Sequence, residues 1–412
     1  MCSALAAFSS GVELVDDEGA ASAADDLCTG KIFQRLQRIS YLADTPPITI
    51  LVYDSDMVSV KRPIEPAGRR RWTGVSLVSG LDWAVVAEVS RLIAGGPRAS
   101  GTEVEEATST PADFAVRLAE EVLEEARLGR SGHTVLALEA DANPMEVGLV
   151  LEAQFESGLS ERVEVELIHL VSVVKCGDVL RWLVDPAPGD GDDLDSGERL
   201  AVQIEFATSI VIADSVPHDI LRVALGLIKS LNPTAAILSL ADICTRNWVR
   251  GDTRTIWPAR RVGRTMGWML ALSSSRSVVD PRHGVDTLVW RDPRPFHSGR
   301  LSEMIHEDLR PERVGRIARS RGLTQLATRS SSVGSWHSAG DNLSLQPTDL
   351  ATWSPDSPAG QELVFFGLGL NLDRISDALD ACLLTGPELL AGPMGWSRFP
   401  DPFPIWPEAH HH

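Results

Sequence analysis

From Gly74 onward the apolar residues fall into short continuous blocks, each followed by a stretch with one-sided periodicity. Residues 75–79 form such a block, and in 83–94 the side chains Val85, Val86, Val89 and Leu92 share one face. Continuous blocks predict strands buried on both faces, and one-sided periodicity predicts amphipathic helices. The same reading predicts a helix over 114–128, a strand over 134–138, a helix over 143–154 and a long strand over 163–174. Strands at 210–213 and 235–240 follow, with a helix over 219–231 between them. Strands alternating with helices predict a parallel sheet covered on both sides, an α/β domain over 73–250.

Beyond residue 280 the rhythm changes. A strand over 285–290 leads to a helix over 295–306, with Pro295 at a tolerated helix start. Strands at 323–328, 333–336, 343–346 and 362–368 follow, then a helix over 372–384. That order predicts one sheet with two helices, an α+β domain over 280–390. Residues 251–279, rich in Arg, Gly and Ser, read as a linker, and 391–412 as a Pro/Trp-rich tail. Residues 1–72 read as an extension of uncertain order, in which only 48–53 has strand character and Met57 offers an alternative start. The tract 185–197 (DPAPGDGDDLDSG) is a loop by composition.

At 412 residues and 43% apolar content the chain is long enough for two real cores. A formal charge of −19 argues against a protein built to coat nucleic acid or an anionic membrane. The charge is uneven: from Arg260 to Arg329 there are 14 Arg against 7 acids. A basic second domain of this kind could touch RNA phosphates, the plainer alternative being a solvated arginine face. Five cysteines (Cys2, Cys28, Cys176, Cys244, Cys382) stand singly, which fits neither a disulfide framework nor a zinc knuckle. Cys176 reads as a buried, inert thiol. No run of about eighteen apolar residues and no secretory leader are visible, so a cytoplasmic protein that does not enter membranes is expected. The terminal His410, His411 and His412 carry no assigned role.

The stretch DPRHGVDTLVWRDPRPFHSGRL (280–301), the block ATRSSSVGSWHSAG (327–340) and the end DACLLTGPELLAGP (380–393) with DPFPIW (401–406) resemble the C-terminal domain of the CobW-like GTPases. These form a branch of the P-loop GTPases that serve metal proteins. The resemblance covers roughly 74–401 and implies a parallel-sheet, P-loop-like α/β N-terminal domain joined to an α+β CobW C-terminal-type domain. It also implies the chemistry to look for. A P-loop needs a glycine-rich turn, a Lys for the phosphates and a Ser/Thr for magnesium. Here Leu77, Val78, Ser79 and Gly80 match the strand end, but Leu81, Asp82, Trp83 and Ala84 follow, with no Lys. Losing the Lys and the amide cradle removes several charge-assisted hydrogen bonds of ~1.5–3 kcal/mol each.

The other positions the resemblance singles out are altered too. The acidic-strand turn keeps only Glu139, and the strand end that carries an acid in the family carries Lys175. The guanine-reading turn is replaced by Ala213, Asp214, Ser215 and Val216, and the zinc-binding Cys motif, due around 106–113, has no Cys. Ser79, Gly80 and Glu139 are therefore expected to line a vestigial cofactor pocket, with no catalytic and no metal-ligating residue and no cofactor. Glu139 ends a strand, where α/β sheets bind ligands.

Within the family the chain resembles an actinobacterial subgroup without the P-loop Lys. That subgroup recruits a ribosome hibernation factor to the small ribosomal subunit in zinc starvation. The resemblance implies the same partners here, with the Arg-rich stretch meeting rRNA phosphates and the acidic loop 185–198 meeting protein. The residues expected at such a contact are Arg291, Arg294, His297, Arg300 and Trp336. For His297 the competing reading is a helix cap or packing residue, with Phe296 anchoring the helix; for Trp336 it is packing. His283, His306 and His337 could approach His297 across the sheet, a weak metal signal. The alternative function is that of a GTP-dependent zinc metallochaperone using GTP, Mg2+ and Zn2+.

Overall fold

The computed structural model describes residues 50–54, 71–95, 99–102, 111–128, 132–158, 163–185, 196–245, 266–273, 284–355 and 357–406. The apolar blocks of the first half assemble one sheet. Its strands and helices run β1 (Ile50–Asp54), β2 (Arg71–Gly80), α1 (Trp83–Ala94), β3 (Ala99–Thr102), α2 (Pro111–Leu128), β4 (His133–Leu138), α3 (Pro144–Ser157) and β5 (Val163–Val174). They continue with α4 (Cys176–Leu183), α5 (Ser196–Phe206), β6 (Ser209–Ile212), α6 (His218–Leu231), β7 (Ala236–Ser239) and α7 (Leu240–Thr245). The order across the sheet is β3-β1-β4-β2-β5-β6-β7. The last five are parallel neighbours, while β1 runs antiparallel to both β3 and β4.

Burial on both faces explains the unbroken apolar strands. On one side Val78, Val135, Val171 and Val173 meet α1 through Val86, Val89 and Ile93. On the other, Val75, Leu77, Leu136 and Leu170 meet α2 and α3 through Leu118, Val122, Val147 and Leu151. Local chemistry sets the helix ends. Asn143 caps α3 by accepting from the Met145 N–H at 3.0 Å, with Pro144 at the first helical position. Gly95, at φ 72°, closes α1 in the left-handed region that favours glycine.

Helix α8 (Gly267–Ser273) precedes the second unit: β8 (Asp286–Asp292), α9 (Ser298–Glu307), α10 (Pro311–Val314), β9 (Arg316–Gln325), a 3-10 turn (Ala327–Arg329), β10 (Ser332–Ala339), β11 (Asn342–Ala351), β12 (Gln361–Leu368), α11 (Leu372–Cys382) and α12 (Gly386–Trp396). Its five strands are antiparallel in the order β11-β10-β9-β12-β8. One face carries Trp290, Trp336, Leu363 and Phe365 against α9 and α11. The opposite face, through Ala318, Ala339, Val364 and Phe366, joins the core of α4, α5, α6 and α8. The architecture is thus α/β with a parallel sheet plus an α+β unit built on an antiparallel sheet.

Several expectations need correction. Part of the segment read as linker is α8, which buries Trp268 and Ala271. The helix placed at Pro295 starts at Ser298, because Phe296 is taken into a bridge with Leu326 and Leu383 and His297 caps the helix. The sequence pattern does not predict helices α4 and α5; α5 begins at Ser196, inside the tract read as loop, while 186–195 lie outside the described residues. Strand β1, within the segment read as an extension, pairs with β4. The remainder of 1–72 is described only from Arg71 on. Among the described residues no helix is long and apolar enough to cross a membrane.

A buried ion cluster ties the two units together. Arg319 of β9 is fully buried and donates from Nε and Nη2 to the two oxygens of Glu205 on α5, at 2.9 and 3.0 Å. It also donates to Glu198 on α5 and, at 3.2 Å, to the Ser338 carbonyl. Glu205 is itself 0% exposed; this guanidinium is its hydrogen-bonded partner, and Arg321 stands farther off at 3.9 Å. Arg319→Met should lower unfolding stability by about 3–5 kcal/mol in urea titrations, because it strands a buried carboxylate. The double variant Arg319→Met/Glu205→Leu should lose clearly less than the single one; equal losses would refute the coupling.

Candidate functional site

The mouth of the first βα unit is where a P-loop nucleotide would sit. Strand β2 ends at Gly80 and α1 starts at Trp83, so only Leu81 and Asp82 join them. Two residues cannot form a loop that wraps phosphates with successive amides. Gly80 has a different reason to be glycine. A Cβ there would stand 2.7 Å from the Val173 carbonyl oxygen and 2.8 Å from Val86 Cγ2. Close packing of strand on strand and helix sets that position.

Asp82 occupies the helix end. Its backbone is extended, and its Oδ1 accepts from the Val85 N–H at 3.3 Å. Its Oδ2 accepts from Lys175 Nζ at 2.6 Å. Lys175 follows the end of β5, the strand in register with Gly80. The hydrogen bond to Lys175 holds the Asp82 carboxyl below its usual range, and the same bond raises the Lys175 ammonium. The mouth therefore does hold a cation, contrary to the expectation drawn from the bare β2–α1 turn, but its charge is answered by a carboxylate of the chain.

The next helix end is closed in the same way. Asp214, after β6, accepts from the Cys176 and Gly177 N–H groups at 2.8 and 3.0 Å, where α4 begins. Burial raises Asp178 above the ordinary carboxylate range, Lys175 opposing it and Asp214 adding to it. Burial, with Asp214 beside it, pushes the Cys176 thiol up to about 12, so it stays protonated and unreactive. Both helix N-termini at these strand ends, α1 and α4, thus carry internal anions where a bound phosphate would otherwise be favoured.

Of the residues expected in the pocket, Ser79 and Gly80 lie at this mouth. Ser79 is itself buried, and the crevice it lines with Leu77, Pro144, Ser172, Gln203 and Phe206 has no room for a ligand. Glu139 follows the neighbouring strand β4, where its carbonyl accepts from the Ala142 N–H at 3.1 Å. In the sequence Asp82 and Lys175 each stand out as misfits, with nothing to say that they answer each other. The signal is nonetheless present: an acid where a cation belongs and a cation where an acid belongs, at the ends of adjacent strands.

The five residues expected at a partner contact do not form one surface. Trp336 is a correction: it is 0% exposed, donates from Nε1 to Ser320 Oγ at 2.8 Å and meets Phe365 edge-on. Arg294 grips Asp292 with two bonds of 2.9 Å, and Arg300 grips Glu388 with two more. Arg291 donates to the Leu272 carbonyl and lies 3.8 Å from Glu362. His297 accepts at Nδ1 from the Arg300 N–H, capping α9, and stacks on Phe399 at 4.5 Å. Arg310, Arg313, Arg316 and Arg329 are likewise paired with carboxylates. Among the described residues no group of three or more His, Cys, Asp or Glu is disposed to hold a metal; His283 and residues 106–110 lie outside them.

Residues 285–383 match the cobalamin synthesis protein cobW C-terminal domain. Over 321 residues the chain is 25% identical to zinc-regulated GTPase metalloprotein activator 1 of Dictyostelium discoideum, covering 69% of this chain and 66%, just under two thirds, of that protein. The Zn(II)-bound YjiA GTPase of E. coli is similar to 76% of this chain over 99% of its own length, at 12% identity and a TM-score of 0.32. A Zn(II)-bound triple mutant of YjiA gives 12% identity and a TM-score of 0.30 over the same spans.

The two functions of Asp82 separate by substitution. Asp82→Asn keeps a capping side chain and loses only a partly exposed ion pair, so stability should fall by no more than about 1 kcal/mol. Asp82→Ala loses the cap as well and should fall by about 1–2 kcal/mol. Thermal unfolding of the two variants side by side checks the order.

Proposed function

Given that this chain belongs to the CobW-like branch of the P-loop GTPases, we propose that it works as a non-hydrolysing binding and recruitment factor on that scaffold. One observation carries the reading: the Asp82 carboxylate sits in the N-terminus of α1 and holds Lys175 at 2.6 Å. A triphosphate brought to that mouth meets a helix end and a lysine that already share one carboxylate. The glycine-rich amide cradle of a P-loop is missing and Lys175 is already engaged by Asp82, so the balance runs against nucleotide.

The partner follows from the sequence resemblance. We assign the chain to recruiting a hibernation factor to the small ribosomal subunit in zinc starvation. The described arginines named above are matched to carboxylates, which favours a contact made mainly with protein over one made with rRNA phosphates. A second reading, a GTP-dependent zinc metallochaperone, takes its support from the relative named a zinc-regulated GTPase metalloprotein activator and from the cation at the mouth. It requires Asp82 to release Lys175 to a phosphate.

Co-sedimentation with small subunits from zinc-starved cells tests the first reading. The chain should move with the subunit at low salt. Its affinity should fall less steeply than the roughly 10³-fold that six or more phosphate contacts lose between about 50 and 200 mM salt. Absence from ribosomal fractions at low salt would overturn it.

A further inference from the structure

The segment after α12 lies in a groove that is built for it. Phe399 stacks on His297, and Asp401 accepts from Thr328 Oγ1 at 2.6 Å and from Arg329 Nε and Nη2 at 2.8 and 3.1 Å. Arg329 Nη2 also donates to the Phe403 carbonyl at 3.0 Å, and Asp401 Oδ1 accepts from the Phe403 N–H, which fixes the turn between them. Trp406 donates from Nε1 to the Leu345 carbonyl at 3.2 Å and places its ring 4.3 Å from the Arg329 guanidinium carbon. A Cβ at Gly334 would stand 2.8 Å from that indole, so a larger residue on the floor of the groove would displace the ring. Phe403 and Trp406 pack against the C-terminal core. The groove reads one pattern: aromatic, Pro, Asp, Pro, aromatic, with a second aromatic three residues on. Pro400, Pro402 and Pro404 restrict the backbone of the segment, so it loses less entropy on docking.

We propose that this groove is a peptide-docking site which the chain's own tail fills in cis, and that the same segment of a second copy fills it in trans. Two observations on the arm formed by α12 and the segment after it point to a second copy. The hinge is built in: Gly392, at φ 64° and ψ 179°, breaks α12 just before Pro393. Among the described residues five large apolar side chains are exposed, and three lie around this hinge: Leu390 at 90% just before it, and Met394 at 84% and Ile405 at 94% beyond it. Single exposed apolar residues are ordinary; three placed around one hinge, two of them on the part that would move, mark a surface awaiting cover. Exchange about a two-fold axis remakes every groove contact, and the bond that Trp396 Nε1 donates across the hinge to the Glu388 carbonyl at 2.7 Å is given up. Tail residues of one copy then complete the site around Arg329 of the other.

Light scattering of the full chain across a concentration series tests this. Dimer should grow with concentration, and Trp406→Ala and Arg329→Met should each weaken dimerisation by about tenfold or more. Mixing those two variants should restore a heterodimer, because the arm of the Arg329→Met copy still finds an intact groove on the Trp406→Ala copy. A synthetic peptide spanning 399–406 in excess should dissolve wild-type dimers, and its D401A version should not. Circular dichroism confirms that each variant is folded. A monomer at every concentration, a dimer indifferent to both substitutions, or failure of the peptide to bind the folded Trp406→Ala chain would overturn the proposal.

Discussion

The hydrogen bond between Lys175 and Asp82 sets the chemistry available at the leading βα unit. A helix N-terminus at the end of a parallel strand presents unpaired N–H groups and a partial positive charge, and something negative settles there. In this chain the anion is covalently part of the protein. Asp82 reaches it across a link of two residues, with no entropy cost of association, and Lys175 completes the neutralisation from the next strand. Asp214 repeats the arrangement at α4. The pair is partly exposed, so it adds little to stability. Its importance lies in what it displaces.

The scaffold around that mouth is closely packed. Parallel strands are covered on both faces, and Gly80 lets β2, β5 and α1 approach one another. The C-terminal sheet is bound to the same body through α5, with Arg319 held between Glu198 and Glu205 in the interior. A body whose strand-end helix N-termini are capped by its own carboxylates, and whose two units share a core, is suited to presenting surfaces. That is the physical basis for the proposal of a binding protein.

Much of the fold is legible in the sequence because burial dictates pattern. The helix Trp83–Ala94 and the strand Val163–Val174 coincide with their predicted limits, since apolar patterning is clear over that length. Short α4, with its apolar residues split between two neighbours, has too few turns for periodicity to register, and the core helix α8 is hidden by a polar surrounding tract. Pro295 misleads because the bridge at Phe296 outranks the preference of proline for a helix start. At the site, Asp82 and Lys175 are each visible as anomalies, but 93 positions separate them and only the parallel register of β2 and β5 brings them together. Trp336 cannot be told from a surface tryptophan in sequence, because strand alternation leaves either face open until the partner layer is known.

Whether that mouth admits a polyphosphate separates a binding scaffold from a nucleotide-dependent protein. Isothermal titration of the full chain with GTP and magnesium measures it directly. No saturable heat is predicted up to millimolar nucleotide, because Asp82 and Asp214 already occupy the helix ends. Saturable binding with a Kd near about 1 μM, worth about 8 kcal/mol, would contradict the claim that the chain's own carboxylates have taken the phosphate's place.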